Sequence, residues 1–119
     1  MVYTSSSLAL ATLEYFVNLP PIMRQTGQFP PLLAVALDLP DDLVPEIFDV
    51  ASLPKAYGIA DCQKAGDKWS LRRVSLALMV PSHVIPSEAN VILNPRQTDM
   101  QRVTVYLTEE FRFDDRMGG

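Results

Sequence analysis

Apolar residues run almost without a break from Leu8 to Leu19, in the order Leu, Ala, Leu, Ala, Thr, Leu, Glu, Tyr, Phe, Val, Asn, Leu. No wide polar stripe is left to face water, and a helix of that kind is normally buried. Ser5, Ser6 and Ser7 stand just before it, where a serine oxygen can accept a bond from an unpaired amide of the first turn. The pattern predicts a serine-capped, buried helix carrying one carboxylate, Glu14. Burial disfavours an ionised carboxylate unless a cation or hydrogen-bond donors compensate. Glu14 is therefore either a working group or part of a narrow exposed strip with Thr12 and Asn18, the last at the i, i+4 spacing.

The hydrophobic pattern beyond this helix predicts mostly strands. Val2 to Thr4 reads as the end of a strand feeding the helix. Pro20-Pro21 and Phe29-Pro30-Pro31 bracket a loop of about ten residues in which prolines forbid a continuing helix. LLAVALDL, residues 32 to 39, is a continuous apolar run whose length suits a strand buried on both faces, and Pro40 closes it. Residues 41 to 60 hold no clean period, and Pro45 and Pro54 argue for short turns and one strand. Residues 60 to 72 suit a short helix, with Trp69 as core or pocket wall, and residues 74 to 80 a buried strand. Residues 90 to 95, 102 to 107 and 111 to 113 complete the strands. Helices are too few to cover a parallel sheet on both faces, so the expected class is α+β, with Glu14 near the junction of the first helix and the sheets.

Composition narrows the function classes. A chain of 119 residues is expected to make one domain, residues 1 to 119, long enough for a single hydrophobic core. Its 48% hydrophobic and 20% charged residues are those of a globular protein. The net charge of −4, with no basic cluster larger than Arg72-Arg73, speaks against a nucleic-acid partner. One cysteine, Cys62, excludes an internal disulfide and a cysteine-based zinc site, and His83 is the sole histidine, so no metal is expected. No signal-peptide pattern and no apolar run of about 18 residues is present, so the expectation is a cytoplasmic protein without a membrane span.

A second informative stretch is VPSHVIPSEANVILNP, residues 80 to 95, which carries Ser82, Asn90 and Asn94 directly after a buried strand. Short polar side chains at strand ends can hold a ligand, and they can equally satisfy turn backbone. Pattern alone favours the structural role for each.

Four blocks in order shift that balance. YTSSSLALATLE, residues 3 to 14, resembles the tyrosine-to-glutamate block of the RES-domain family, the toxin half of Xre–RES toxin–antitoxin pairs. GDKW, residues 66 to 69, resembles a second block, VPSHVIPSEANVILNP a third, and FDDRM, residues 113 to 117, the C-terminal signature. The resemblance implies an ADP-ribosyltransferase-like fold of curved β-sheets with a few short helices. It also implies NAD as substrate rather than as cofactor, cleaved at its nicotinamide–ribose bond, with water, phosphate or a protein side chain as acceptor. Of the family's arginine, glutamate and serine, Glu14 and Ser82 match two, and Tyr3 matches the tyrosine ahead of the glutamate. The arginine has no counterpart. In the family it lies upstream, in a Gly-Arg-Trp segment, so the expected form of the domain is N-terminally truncated.

By this resemblance Glu14 and Tyr3 are the catalytic candidates, and Ser82, Asn94 and Ser5 the substrate-binding ones. The implied protein partner is an Xre-type antitoxin. An apolar strand left partly uncovered would favour a homo-oligomer. The alternatives are an inactive remnant that binds antitoxin or NAD without turnover, and an unrelated small ligand-binding α+β domain.

Overall fold

Pairing of short apolar strands produces two separate sheets in the computed structural model of the chain, which describes residues 1–118. The elements in order are β1 (Val2–Ser5), α1 (Leu8–Val17), α2 (Pro21–Thr26), β2 (Leu32–Asp38), β3 (Glu46–Ile47), α3 (Ile59–Arg72), β4 (Ala77–Pro81), β5 (Ala89–Leu93) and β6 (Thr104–Phe111). Short 3₁₀ segments fall at Val50–Ser52, Thr98–Arg102 and Asp115–Met117. The architecture is α+β, as the pattern predicts.

The larger sheet has the order β1-β5-β4-β3, antiparallel except for the parallel β3–β4 pair. Side chains alternate across its two faces. One face packs Trp69 of α3 on Leu78 and Ile92, with Phe48 and Val80 beside them. The other buries Leu76, Ala77 and Leu93 beneath Leu37, Leu39, Leu43, Met100 and Val103. β3 is pinned by its own carboxylate. Glu46 accepts bonds from Ser75 Oγ at 2.6 Å and Trp69 Nε1 at 2.9 Å, and pairs with Arg72 at 3.2 Å. The Ser75 hydroxyl first, then Trp69 and Arg72, hold the Glu46 carboxyl below the usual glutamate range, against a smaller opposing effect of partial burial.

The smaller sheet is the antiparallel ribbon β2–β6, seven registered pairs with a bulge between Ala36 and Leu37. It meets the rest of the molecule through Leu37, which packs on the larger sheet's core, and through a knot of rings in which Phe113 contacts Phe16, Phe29, Tyr15 and Phe111. The chain has a radius of gyration of 15.9 Å, above the roughly 13–14 Å typical of a compact domain of this length. Away from those contacts, a groove of about 590 Å³ separates the ribbon from the larger sheet and is lined by β1, α1, β2, β5 and β6.

Several elements depart from the sequence pattern. α1 starts where expected, with Ser7 Oγ accepting from Leu10 N at 3.1 Å. It is not buried all round: Leu10 is its buried residue, while Leu8, Leu13, Tyr15 and Val17 remain exposed. The loop expected between the proline pairs contains α2, because Pro21 occupies the first helical position, where a missing N–H costs nothing. Gly27, at φ 70°, ends that helix. β2 is not buried on both faces, and Leu33 is 65% exposed. Residues 111 to 113 form no strand of their own, since Phe111 is the last residue of β6.

Candidate active site

Register brings Tyr3, Ser5, Leu78, Val80, Asn90 and Ile92 onto one face of the larger sheet. Ser5 lies opposite Asn90 and Tyr3 opposite Ile92, while Asn90 and Ile92 lie opposite Val80 and Leu78 on the other side. This face floors a cleft of about 1190 Å³ between α1 and α3. Glu14 enters it from the second turn of α1. The serine-capped start of that helix, one short turn after β1, sets where the second turn falls relative to the strand.

One oxygen of Glu14 is clamped by two donors from the sheet. Oε1 accepts from Ser82 Oγ at 2.6 Å and from Asn90 Nδ2 at 2.8 Å. Among the described residues Oε2 receives no hydrogen bond, and no cationic side chain pairs with Glu14. The carboxylate therefore presents one held oxygen and one free oxygen, in a residue that lines the cleft.

Valence fixes the direction of each bond. Ser82 Oγ accepts from Val84 N at 3.1 Å and from Ile85 N at 3.0 Å, so its single proton goes to Glu14. The Ser82 side chain is thereby saturated, and the residue is only 2% exposed. Ser5 Oγ donates to Asn90 Oδ1 at 2.8 Å, because an amide oxygen can only accept. What Ser5 offers the cleft is its oxygen lone pairs, which suit a hydroxyl donor better than a phosphate oxygen.

The structure brings together Glu14, Ser82, Ser5 and, more loosely, Tyr3. Tyr3 sits two residues before Ser5 on the same face, exposed along the wall of the cleft. Asn94 is not part of this group. It is wholly buried just past β5, where its Nδ2 donates to Ser70 O at 2.9 Å and its Oδ1 accepts from Arg96 N at 3.1 Å. Its side chain is spent on joining α3 to the turn after β5, so direct contact with a ligand in the cleft does not fit its geometry. Asn90 lies within β5 and Asn94 just past its end, and four residues of extended chain separate them by about 13 Å. Asn90 is the member that reaches Glu14. Its sequence signal was its position eight residues after Ser82, within the same block. Among the described residues no three His, Cys, Asp or Glu side chains gather as a metal site.

The sequence pattern that defines the RES domain matches residues 1–114. The chain is 27% identical over 124 residues to the Prs ADP-ribosylating toxin of Sphingobium sp. (strain YBL2), a match covering 98% of this chain and 74% of that protein. It is 29% identical over 121 residues to Toxin Res of Photorhabdus laumondii subsp. laumondii, again over 98% of this chain and 74% of the relative. This α+β chain, with its carboxylate clamped between a helix and a sheet, belongs to the RES domain family.

No helix among the described residues is long and apolar enough to cross a membrane.

Proposed function

We propose that this chain is a toxin that consumes NAD, breaking the bond between nicotinamide and ribose with Glu14 as the stabilising carboxylate. The observation that carries the reading is the Glu14 side chain itself, which lines the cleft with one oxygen held by Ser82 and Asn90 and the other without a hydrogen bond among the described residues. In the reaction the C1′–N bond breaks and its electron pair leaves with nicotinamide, which departs neutral. The sugar is left as an oxocarbenium ion, and a fixed carboxylate beside it stabilises the positive charge as it develops. A nucleophile then gives a lone pair to C1′ and releases its proton.

Other residues support this chemistry from their observed places. Tyr3 offers an exposed ring on which the nicotinamide can stack, so that the scissile bond is fixed relative to Glu14. Ser5 can accept a bond from a ribose hydroxyl. Ser82 acts through Glu14, because its hydroxyl has no proton left for the substrate. The cleft volume of about 1190 Å³ exceeds the roughly 300–1,000 Å³ of sites for drug-sized ligands, which leaves room for a dinucleotide.

A relative named as an ADP-ribosylating toxin favours a protein side chain as acceptor over water or phosphate. Two relatives named as toxins also favour a protein antitoxin, of the Xre type that the family resemblance implies, as the partner that holds this chain in check.

The test is to incubate the purified chain with NAD labelled in its adenosine half, follow nicotinamide release by chromatography, and trace where the label goes. Glu14→Gln keeps the shape and removes the charge, so release should fall at least about 100-fold with an unchanged circular dichroism spectrum. Equal release from both proteins contradicts the assignment. Label retained as free ADP-ribose would name water as acceptor, and label on protein would name a side chain.

A further inference from the structure

We propose that Asn90 is a positioning residue that sets the orientation of the Glu14 carboxylate and ties it to Ser5 on the neighbouring strand. The inference deepens the NAD-cleaving reading and rests on it. Both ends of the Asn90 amide are committed. Its Nδ2 donates to Glu14 Oε1 at 2.8 Å, and its Oδ1 accepts from Ser5 Oγ at 2.8 Å. The amide has one workable orientation, because turning it over would set its oxygen against the carboxylate oxygen, an acceptor against an acceptor, whereas the Ser5 hydroxyl could serve either end.

Ser82 alone would leave the carboxylate free to swing about a single bond. A second donor on the same oxygen, arriving from β5 rather than from the end of β4, fixes the plane of the group and hence where Oε2 points. The two anchors differ in kind. Ser82 is locked by the turn after β4, through Val84 and Ile85. Asn90 is locked by strand register, since Ser5 and Val80 flank it in the sheet. The Ser5–Asn90–Glu14 chain thus carries the geometry of β1 into the carboxylate. Misplacement of a charged group by an ångström can cost about 100-fold in rate, so a device of this kind belongs where the charge must meet a transition state.

Three variants test the proposal in steady-state nicotinamide release, each checked by circular dichroism and thermal unfolding. Asn90→Ala should lower kcat about 10- to 100-fold with KM changed by less than about threefold. Asn90→Asp keeps the shape but replaces the donor with an oxygen, so it should do no better than alanine. Ser5→Ala, which removes the support behind the amide together with the oxygen offered to a ribose hydroxyl, should give a smaller fall in kcat, and a rise in KM in this variant reads the lost ribose contact. A folded Asn90→Asp that works as well as wild type overturns the donor role and leaves a packing role. An equal rise in KM with unchanged kcat also overturns it.

The side-chain amide signal of Asn90 in a ¹H–¹⁵N spectrum gives a readout that does not depend on turnover. Glu14→Gln should shift that signal more than any other asparagine or glutamine side-chain signal, and an unmoved signal overturns the bond on which the proposal stands. A wild-type chain that releases no nicotinamide while the amide signal responds to Glu14→Gln would contradict the NAD-cleaving reading, and the positioning role in that reaction with it, while the hydrogen bond stands.

Discussion

The larger sheet and the β2–β6 ribbon are made of strands with similar apolar content, yet their surroundings are opposite. β4 and β5 carry cores on both faces, built around Trp69 on one side and Leu76, Ala77 and Leu93 on the other. The ribbon has the longer ladder, seven pairs, but leaves Leu33, Val35, Val105 and Tyr106 exposed. Apolar composition makes a strand; packing partners decide whether it is buried. The consequence for function is direct, because side chains locked on several sides can hold an atom to a fraction of an ångström. Ser82 and Asn90 are locked in that way and Glu14 inherits their precision, whereas the ribbon builds a groove without such a constellation.

Paired substitutions sharpen that contrast, and the largest effect is on the cores. Leu93→Ala, at a residue 1% exposed, should cost about 2–5 kcal/mol of stability in urea unfolding. Leu33→Ala in the ribbon should cost under about 0.5 kcal/mol. Similar losses from the two would show that the ribbon is as tightly packed as the sheet.

Next in size is the buried amide of Asn94. Asn94→Ala leaves Ser70 O and Arg96 N without their partner, a loss of about 1–3 kcal/mol. Nicotinamide release per folded molecule should stay within about twofold of wild type, since Asn94 lies at the far end of the strand from Glu14. A collapse of kcat at full stability would return Asn94 to the site.

Smallest is the effect at Glu46. Its folded-state pKa is lowered, so its contribution is present above the ordinary glutamate range and is lost as pH falls through the lowered value. Unfolding of wild type and Glu46→Gln should therefore differ by less than about 1 kcal/mol at pH 7, and the difference should shrink in acid. A difference that grows on acidification contradicts the sign.

Much of this arrangement is legible in the residues, and the exceptions have physical reasons. The strand–serine–helix start at Val2 to Leu8 is local chemistry, and so are the apolar runs of β4 and β5. α2 is hidden because a proline pair reads as a breaker, although Pro21 suits the first position of a helix. The exposure of β2 and of much of α1 is not local information, since it depends on what packs against them. The site divides along the same line. Glu14, Ser82, Tyr3 and Ser5 belong to recognisable blocks, while the choice between Asn90 and Asn94 turns on which residue lies opposite Ser5, and only pairing register supplies that.

Nicotinamide release from NAD, measured side by side for wild type, Glu14→Gln and Val35→Thr, tests most directly where the chemistry resides. The account predicts release by wild type, a loss of at least about 100-fold in Glu14→Gln and a rate within about twofold of wild type for the ribbon variant. Undiminished release from a folded Glu14→Gln protein would contradict it.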